Sequence, residues 1–179
     1  MATASLVLRA QRGETDAFAP LVTRYLRAAY SVALAVVGRR ADAEDVAQDA
    51  FIVALERIGT CREPERFGGW LLQIVRNRAL NWIDSRRLRD VAPDDRQPDV
   101  PVAPVAPERA DVETRLLAAL ARLTVAQREV VLLHDLEEWT HAEIGIALGI
   151  SEVMSRQHLF NARRALRERL GDKKEALGG

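Results

Sequence analysis

Cysteine, histidine and aromatic residues are scarce in this chain: one Cys, three His and 5% Phe, Trp and Tyr among 179 residues. A lone Cys61 cannot close an internal disulfide, so a core must hold the fold, as suits a reducing compartment. The low aromatic content, beside 29% charged residues, fits helices better than a sandwich or barrel. No apolar run approaches the roughly 20 residues of a membrane span, and residues 1–12 hold no run of signal-peptide length. The expectation is a cytoplasmic protein without membrane insertion. An excess of charge is missing too. The 26 basic and 26 acidic residues cancel, which excludes a chain that clings to nucleic acid indiscriminately.

Catalytic signatures are also absent. There is no glycine-rich phosphate loop and no nucleophile motif, and His134, His141 and His158 lack the close helical spacing of zinc ligands. Asp42, Glu44, Asp45 and Asp49 cluster, but metal-binding carboxylates need further ligands converging from another element. Neither catalysis, a metal nor a cofactor is expected.

What is present is helical periodicity in two blocks. From about Leu6 to Arg89 apolar residues recur at three and four, with no period-two run. Leu21, Tyr25, Ala28, Ala29, Val32 and Val36 trace one stripe ending near Gly38, with Pro20 tolerable only in the first turn. A second helix is predicted from Asp42, as its cap, to about Ile58. Its alanine-rich side is buried, and Asp45, Gln48, Asp49, Ile52 and Glu56 face outward. An outward isoleucine among acids suggests a partner surface. After a break at Pro64, Gly68 and Gly69, a third helix is predicted from near Trp70 to about Arg87, exposing Gln73, Asn77 and Asn81 at four-residue intervals.

Five of the seven prolines fall within 91–107, among acids and without apolar periodicity, so this stretch reads as a linker. Roughly 20 extended, proline-rich residues reach about 60 Å, enough for two domains to sit on separate sites. Arginines gather on either side of it, at 76–89 and at 156–169.

The second block has sharp boundaries. Thr124 with Gln127, and Thr140 with Glu143, match capping boxes. Ile144, Ala147 and Leu148 form a short apolar face ended by Gly149, and Ser151 can cap the next helix, so the pattern predicts a helix-turn-helix. In the last helix Leu159, Ala162, Leu166 and Leu170 face the core. The opposite side carries Gln157, Asn161 and Arg164, flanked by Phe160, Arg156, Arg163 and Arg167. Gln and Asn pair with adenine, and Arg with guanine or phosphate. The fold class is all-α: two small helical domains joined by a proline-rich acidic linker, the second a helix-turn-helix.

The ordered set of segments resembles the extracytoplasmic-function sigma factors of bacterial RNA polymerase. Asp42-Ala43-Glu44-Asp45-Val46-Ala47-Gln48-Asp49-Ala50-Phe51 is similar to the family's polymerase-docking segment. Phe67-Gly68-Gly69-Trp70-Leu71-Leu72-Gln73-Ile74-Val75-Arg76-Asn77 is similar to the segment that reads and opens the minus-ten element. Leu123 to Arg128, Glu143-Ile144, Leu148 to Ser151 and Ala162 to Arg167 are similar to the minus-thirty-five domain. The resemblance implies region 2 over residues 1–89, a linker over 90–110 and region 4 over 111–179. It implies core-polymerase contacts at Asp45, Gln48, Asp49 and Ile52. Minus-ten contacts fall to Arg66, Trp70, Gln73, Asn77 and Asn81, with Trp70 serving either base stacking or core packing. Arg156, Gln157, Phe160, Asn161, Arg163 and Arg164 would meet the minus-thirty-five element, and Arg76, Arg78, Arg86 and Arg87 would neutralise phosphates. Core RNA polymerase, promoter DNA and an anti-sigma factor are the implied partners. One departure stands out: Val153-Met154-Ser155-Arg156-Gln157-His158 replaces the family's usual Gly-Thr-Val, basic, Ser, Arg run. It leaves open a second reading, a sigma mimic that sequesters an anti-sigma factor.

Overall fold

A computed structural model describes residues 2–90 and 107–170. Among these, every regular element is helical. The proline-rich stretch 91–106 lies outside the described residues.

In the first block, α1 (Thr3–Gln11) buries Leu6, Val7 and Ala10. The Gln11 amide donates to the carbonyls of Ile58 (3.0 Å) and Cys61 (2.8 Å), fastening α1 to the far end of the bundle. Helix α2 (Phe18–Val37) keeps Pro20 in its first turn, where no intrahelical donor is lost, and ends at Gly38. Its predicted stripe is buried, with Tyr25 half-buried. Helix α3 (Arg40–Glu56) buries Ala43, Val46, Ala47, Ala50, Phe51 and Ala54. The expected cap at Asp42 is not formed: α3 starts two residues earlier, no side chain caps it, and the Asp42 carboxylate accepts from Arg86, on the next long helix, at 2.8 Å. A guanidinium across the bundle outcompetes the backbone amides because a charge-assisted bond is the stronger one.

Helix α4 (Phe67–Asp90) begins three residues before the expected Trp70. The chain break is the 3-10 turn Pro64–Arg66. Phe67 extends the helix N-terminally because its ring is completely buried, a gain of about 2–3 kcal/mol for a large apolar side chain.

The second block contains α5 (Pro107–Ala121), α6 (Val125–Val131) with a wide turn Leu132–Leu136, α7 (His141–Leu148) and α8 (Glu152–Leu170). Both threonine capping boxes form, each with its reciprocal side-chain and backbone bonds. Gly149 turns the chain at φ 68°, a conformation that L side chains rarely adopt, and the Ser151 hydroxyl accepts from the Met154 amide at 3.1 Å. Leu159 and Ala162 are buried as expected, but Leu170 is 36% exposed because the end of α8 outruns its own core. Ser155 takes the innermost position instead, completely buried and sharing a 2.8 Å hydrogen bond with His141 Nδ1.

The two blocks pack on each other through one continuous apolar core. Gly68 and Gly69 bring the start of α4 against the second block. A Cβ on Gly68 would lie 2.8 Å from Tyr25 Cε1 and 3.2 Å from Trp139 Cη2, and one on Gly69 would lie 3.2 Å from Ile146 Cγ2. Around that contact, Arg76 Nε donates to Glu129 at 2.9 Å. Ser31 and Arg27 meet the Glu137 carboxylate at 3.0 and 3.3 Å, and Arg40 pairs with Glu113 at 2.8 Å.

Candidate functional site

Three exposed faces carry the side chains singled out in the sequence. On α3, Asp45, Gln48 and Ile52 point outward, Ile52 at 59% exposure. Asp49 is half-buried and ion-paired with Arg78 of α4, so it ties the bundle together as well as edging that face. Gln48 also opens onto a groove of about 460 Å³ between the blocks, floored by Leu26, Tyr30 and Ala47 and walled by Leu136 and Glu137.

On α4, Gln73, Asn77 and Asn81 are all exposed. The geometry divides the five expected minus-ten residues. Arg66, Trp70 and Gln73 line one cleft of about 290 Å³ with Cys61, Glu63 and Gly69. Asn81 lines another, of about 560 Å³, with Asp49, Arg78 and Trp82. The Trp70 ring packs 5.6 Å from Phe67 and also lines the first cleft. Ile146 of α7 forms a wall of that cleft, a contribution from the second block that sequence spacing could not locate.

Three of the four arginines expected to meet phosphates have partners within the protein. Arg76, Arg78 and Arg86 each hold a carboxylate, on Glu129, Asp49 and Asp42, rather than presenting an unpaired phosphate-binding row. Arg87 is exposed. Acids one helix away supply the counter-charge, and only the fold brings them there.

On α8, Gln157 and Phe160 are exposed and Asn161 is half-buried, with a 3.3 Å hydrogen bond from Gln157 Nε2 to Asn161 Oδ1. Arg163 makes a two-pronged contact with Asp135, Arg156 reaches Glu152 at 2.9 Å, and Arg164 stands 3.9 Å from Glu168. Val153, which opens the run that departs from the family pattern but was not expected at the DNA face, is 71% exposed on the same side. Its signal was its place two residues before buried Ser155, about 200° round a helix whose inward side is already filled.

Electrostatics separate structural groups from surface ones. Glu129 is 1% exposed, and burial pushes its carboxyl up against the opposing pull of Arg76 and Arg128. The hydrogen bond from Arg163 pulls Asp135 down. Burial, with His134 stacked 4.6 Å away, lowers His141. Burial raises the Cys61 thiol, leaving it a poor nucleophile. Among the described residues, no group of three or more His, Cys, Asp or Glu could hold a metal ion, and no helix is long and apolar enough to cross a membrane.

Two linked helical blocks, one ending in a helix-turn-helix with an amide-bearing outer face, define a two-domain helical protein of the DNA-binding type. The comparisons narrow this further. Residues 21–89 match the sigma-70 region 2 family and residues 113–166 match sigma-70 region 4, together more than half of the chain. The extracytoplasmic-function sigma factor BldN of Streptomyces coelicolor is 35% identical over 172 residues; the match covers 93% of this chain and 65% of BldN, just under two thirds of that relative's length. The sigma factor CarQ of Myxococcus xanthus is 32% identical, with 92% of this chain and 95% of CarQ covered. The solved structure of CnrH in complex with the cytosolic domain of CnrY shares the fold, with a TM-score of 0.73, 24% identity, and coverage of 97% of this chain and 99% of CnrH. The chain belongs to the extracytoplasmic-function family of RNA polymerase sigma factors.

Proposed function

We propose that this protein directs core RNA polymerase to specific promoters in the cytoplasm and helps to open them, without catalysis of its own. The observation that carries the reading is the exposure of three family segments, on α3, α4 and α8, in family order in one chain. The α3 face of Asp45, Gln48, Asp49 and Ile52 docks on polymerase. The α4 cleft, with Trp70 as platform and Gln73 beside it, suits an unpaired base extruded from the minus-ten element. Helix α8 enters the major groove at the minus-thirty-five element through Arg156, Gln157, Phe160 and Asn161, while Arg163 and Arg164 lie toward the backbone. Region 2 then spans residues 1–89 and region 4 residues 111–179. A protein partner that holds the two blocks together, as an anti-sigma factor would, fits the interblock groove; CnrH, similar in fold, is solved in complex with the cytosolic domain of CnrY.

Run-off transcription with core polymerase and this protein on a genomic promoter library is the test. Discrete start sites are expected. The second reading, a mimic that sequesters an anti-sigma factor, draws on the self-paired arginines of α8. An absence of transcripts, together with tight anti-sigma binding, would establish that reading instead.

A further inference from the structure

The outer face of α8 combines two observations that bear on which base pairs it reads. First, at about 100° per residue, Val153, Gln157, Phe160 and Arg164 fall in one narrow stripe diametrically opposite buried Ser155, Leu159 and Ala162. Val153 is 71% and Phe160 58% exposed, so a polar amide sits between two uncovered apolar side chains one turn to either side. Second, the arginines flanking the stripe are engaged within the protein. Arg163 is gripped by Asp135 at 3.0 and 2.5 Å. Arg156 pairs with Glu152 on its own helix at 2.9 Å.

Each base pair shows a different edge in the major groove. Guanine asks for a bidentate arginine or lysine, adenine for a bidentate glutamine or asparagine, and thymine offers a C5 methyl to an apolar side chain. Resting on the sigma-factor reading above, we propose that α8 specifies an adenine flanked by thymine methyls, with Gln157 reading the adenine and Val153 and Phe160 packing on the methyls. Asn161 holds the Gln157 amide through one N–H at 3.3 Å. The second Nε2 hydrogen and Oε1 are left to face adenine N7 and N6. This orientation lowers the entropy that a long amide loses on binding. Val153 therefore joins the specificity-determining residues, and it does so where a smaller side chain would leave the methyl uncovered.

The test uses holoenzyme reconstituted from core polymerase and the full chain, transcribing a promoter library randomised across the minus-thirty-five window. Selected promoters are expected to share an adenine with thymines beside it, and Gln157→Ala is expected to flatten that adenine preference by about five- to a hundredfold. Replacing the flanking thymines by deoxyuridine removes only the methyls. It is expected to weaken transcription by the wild-type holoenzyme several-fold and to have no further effect on the Val153→Ala, Phe160→Ala double variant. Guanine-rich selected windows, or indifference of the wild type to deoxyuridine, would overturn the base assignment while discrete starts still upheld the sigma factor. No promoter-specific transcripts at all would overturn both.

Discussion

Asn77 stands apart on the exposed face of α4, opening onto neither the cleft of Arg66, Trp70 and Gln73 nor that of Asn81. An exposed amide outside the core contributes little to folding, so Asn77→Ala is expected to keep stability within about 0.5 kcal/mol of wild type. Core-polymerase affinity is expected to hold as well, while promoter opening, followed by reactivity of unpaired thymines, slows. A matching loss of polymerase affinity would put Asn77 on the wrong face. Asp49 cannot be probed so simply, because reversing its charge also strips Arg78 of its partner. Asp45→Arg combined with Ile52→Glu avoids that bond. It is expected to weaken core-polymerase binding at least about tenfold in equilibrium titration, with the melting temperature unchanged. The outward amides were legible because each helix has a clear apolar side. Glu129 was not: in the run Glu129-Val130-Val131 a lone acid reads as solvent-facing, and only Arg76, 53 residues away, explains its burial.

At the scale of elements, the helix-turn-helix was the most legible part of the chain. Its capping boxes and glycine turn are made within four residues, so spacing alone specifies them. The start of α3 was misread for the opposite reason, since Asp42 answers to Arg86, 44 residues on. The same block contains a pH-sensitive joint. Half-buried His141, bonded to Ser155 and faced by His134, Arg156, Arg163 and Glu152, has its basicity lowered in the folded protein. The unfolded chain therefore takes up this proton at a higher pH than the folded one. Stability from this group is complete above the ordinary value near 6.5 and is lost as the pH falls through the range below it. Thermal unfolding of the wild type is expected to weaken between pH 7 and pH 5 more steeply than that of His141→Asn. Parallel pH profiles for the two proteins would show that His141 titrates as it does in the unfolded chain.

Across the whole molecule, the described arrangement is closed, with Ile146 of the second block on the α4 cleft and Trp139 against Gly68. Elements about 25 base pairs apart lie some 85 Å from each other along the duplex, at about 3.4 Å per pair, so binding both requires the blocks to separate. Arg76 and Arg27 hold the acids Glu129 and Glu137 across the seam from partly exposed positions. Arg76→Glu with Arg27→Glu sets like charges against both acids, and is expected to disfavour the closed form by about 1–3 kcal/mol after discounting for solvent screening. In small-angle scattering the wild type is expected near the radius of gyration of a compact chain of this length, about 16 Å, and the double variant well above it. An unchanged radius would show that apolar packing around Gly68 and Gly69 holds the blocks without the ion pairs.

Periodicity, caps and turn residues by themselves determined the helical class, the two-block order and the outward faces of α3, α4 and α8, because each depends on neighbours within a few residues. Tertiary structure alone decided which arginines remain for a partner, that Glu129 is buried, and that Ile146 closes on the α4 cleft. Those outcomes depend on charges and surfaces brought together from distant parts of the chain, where the strength of an electrostatic or apolar contact is set by distance and burial rather than by spacing in sequence.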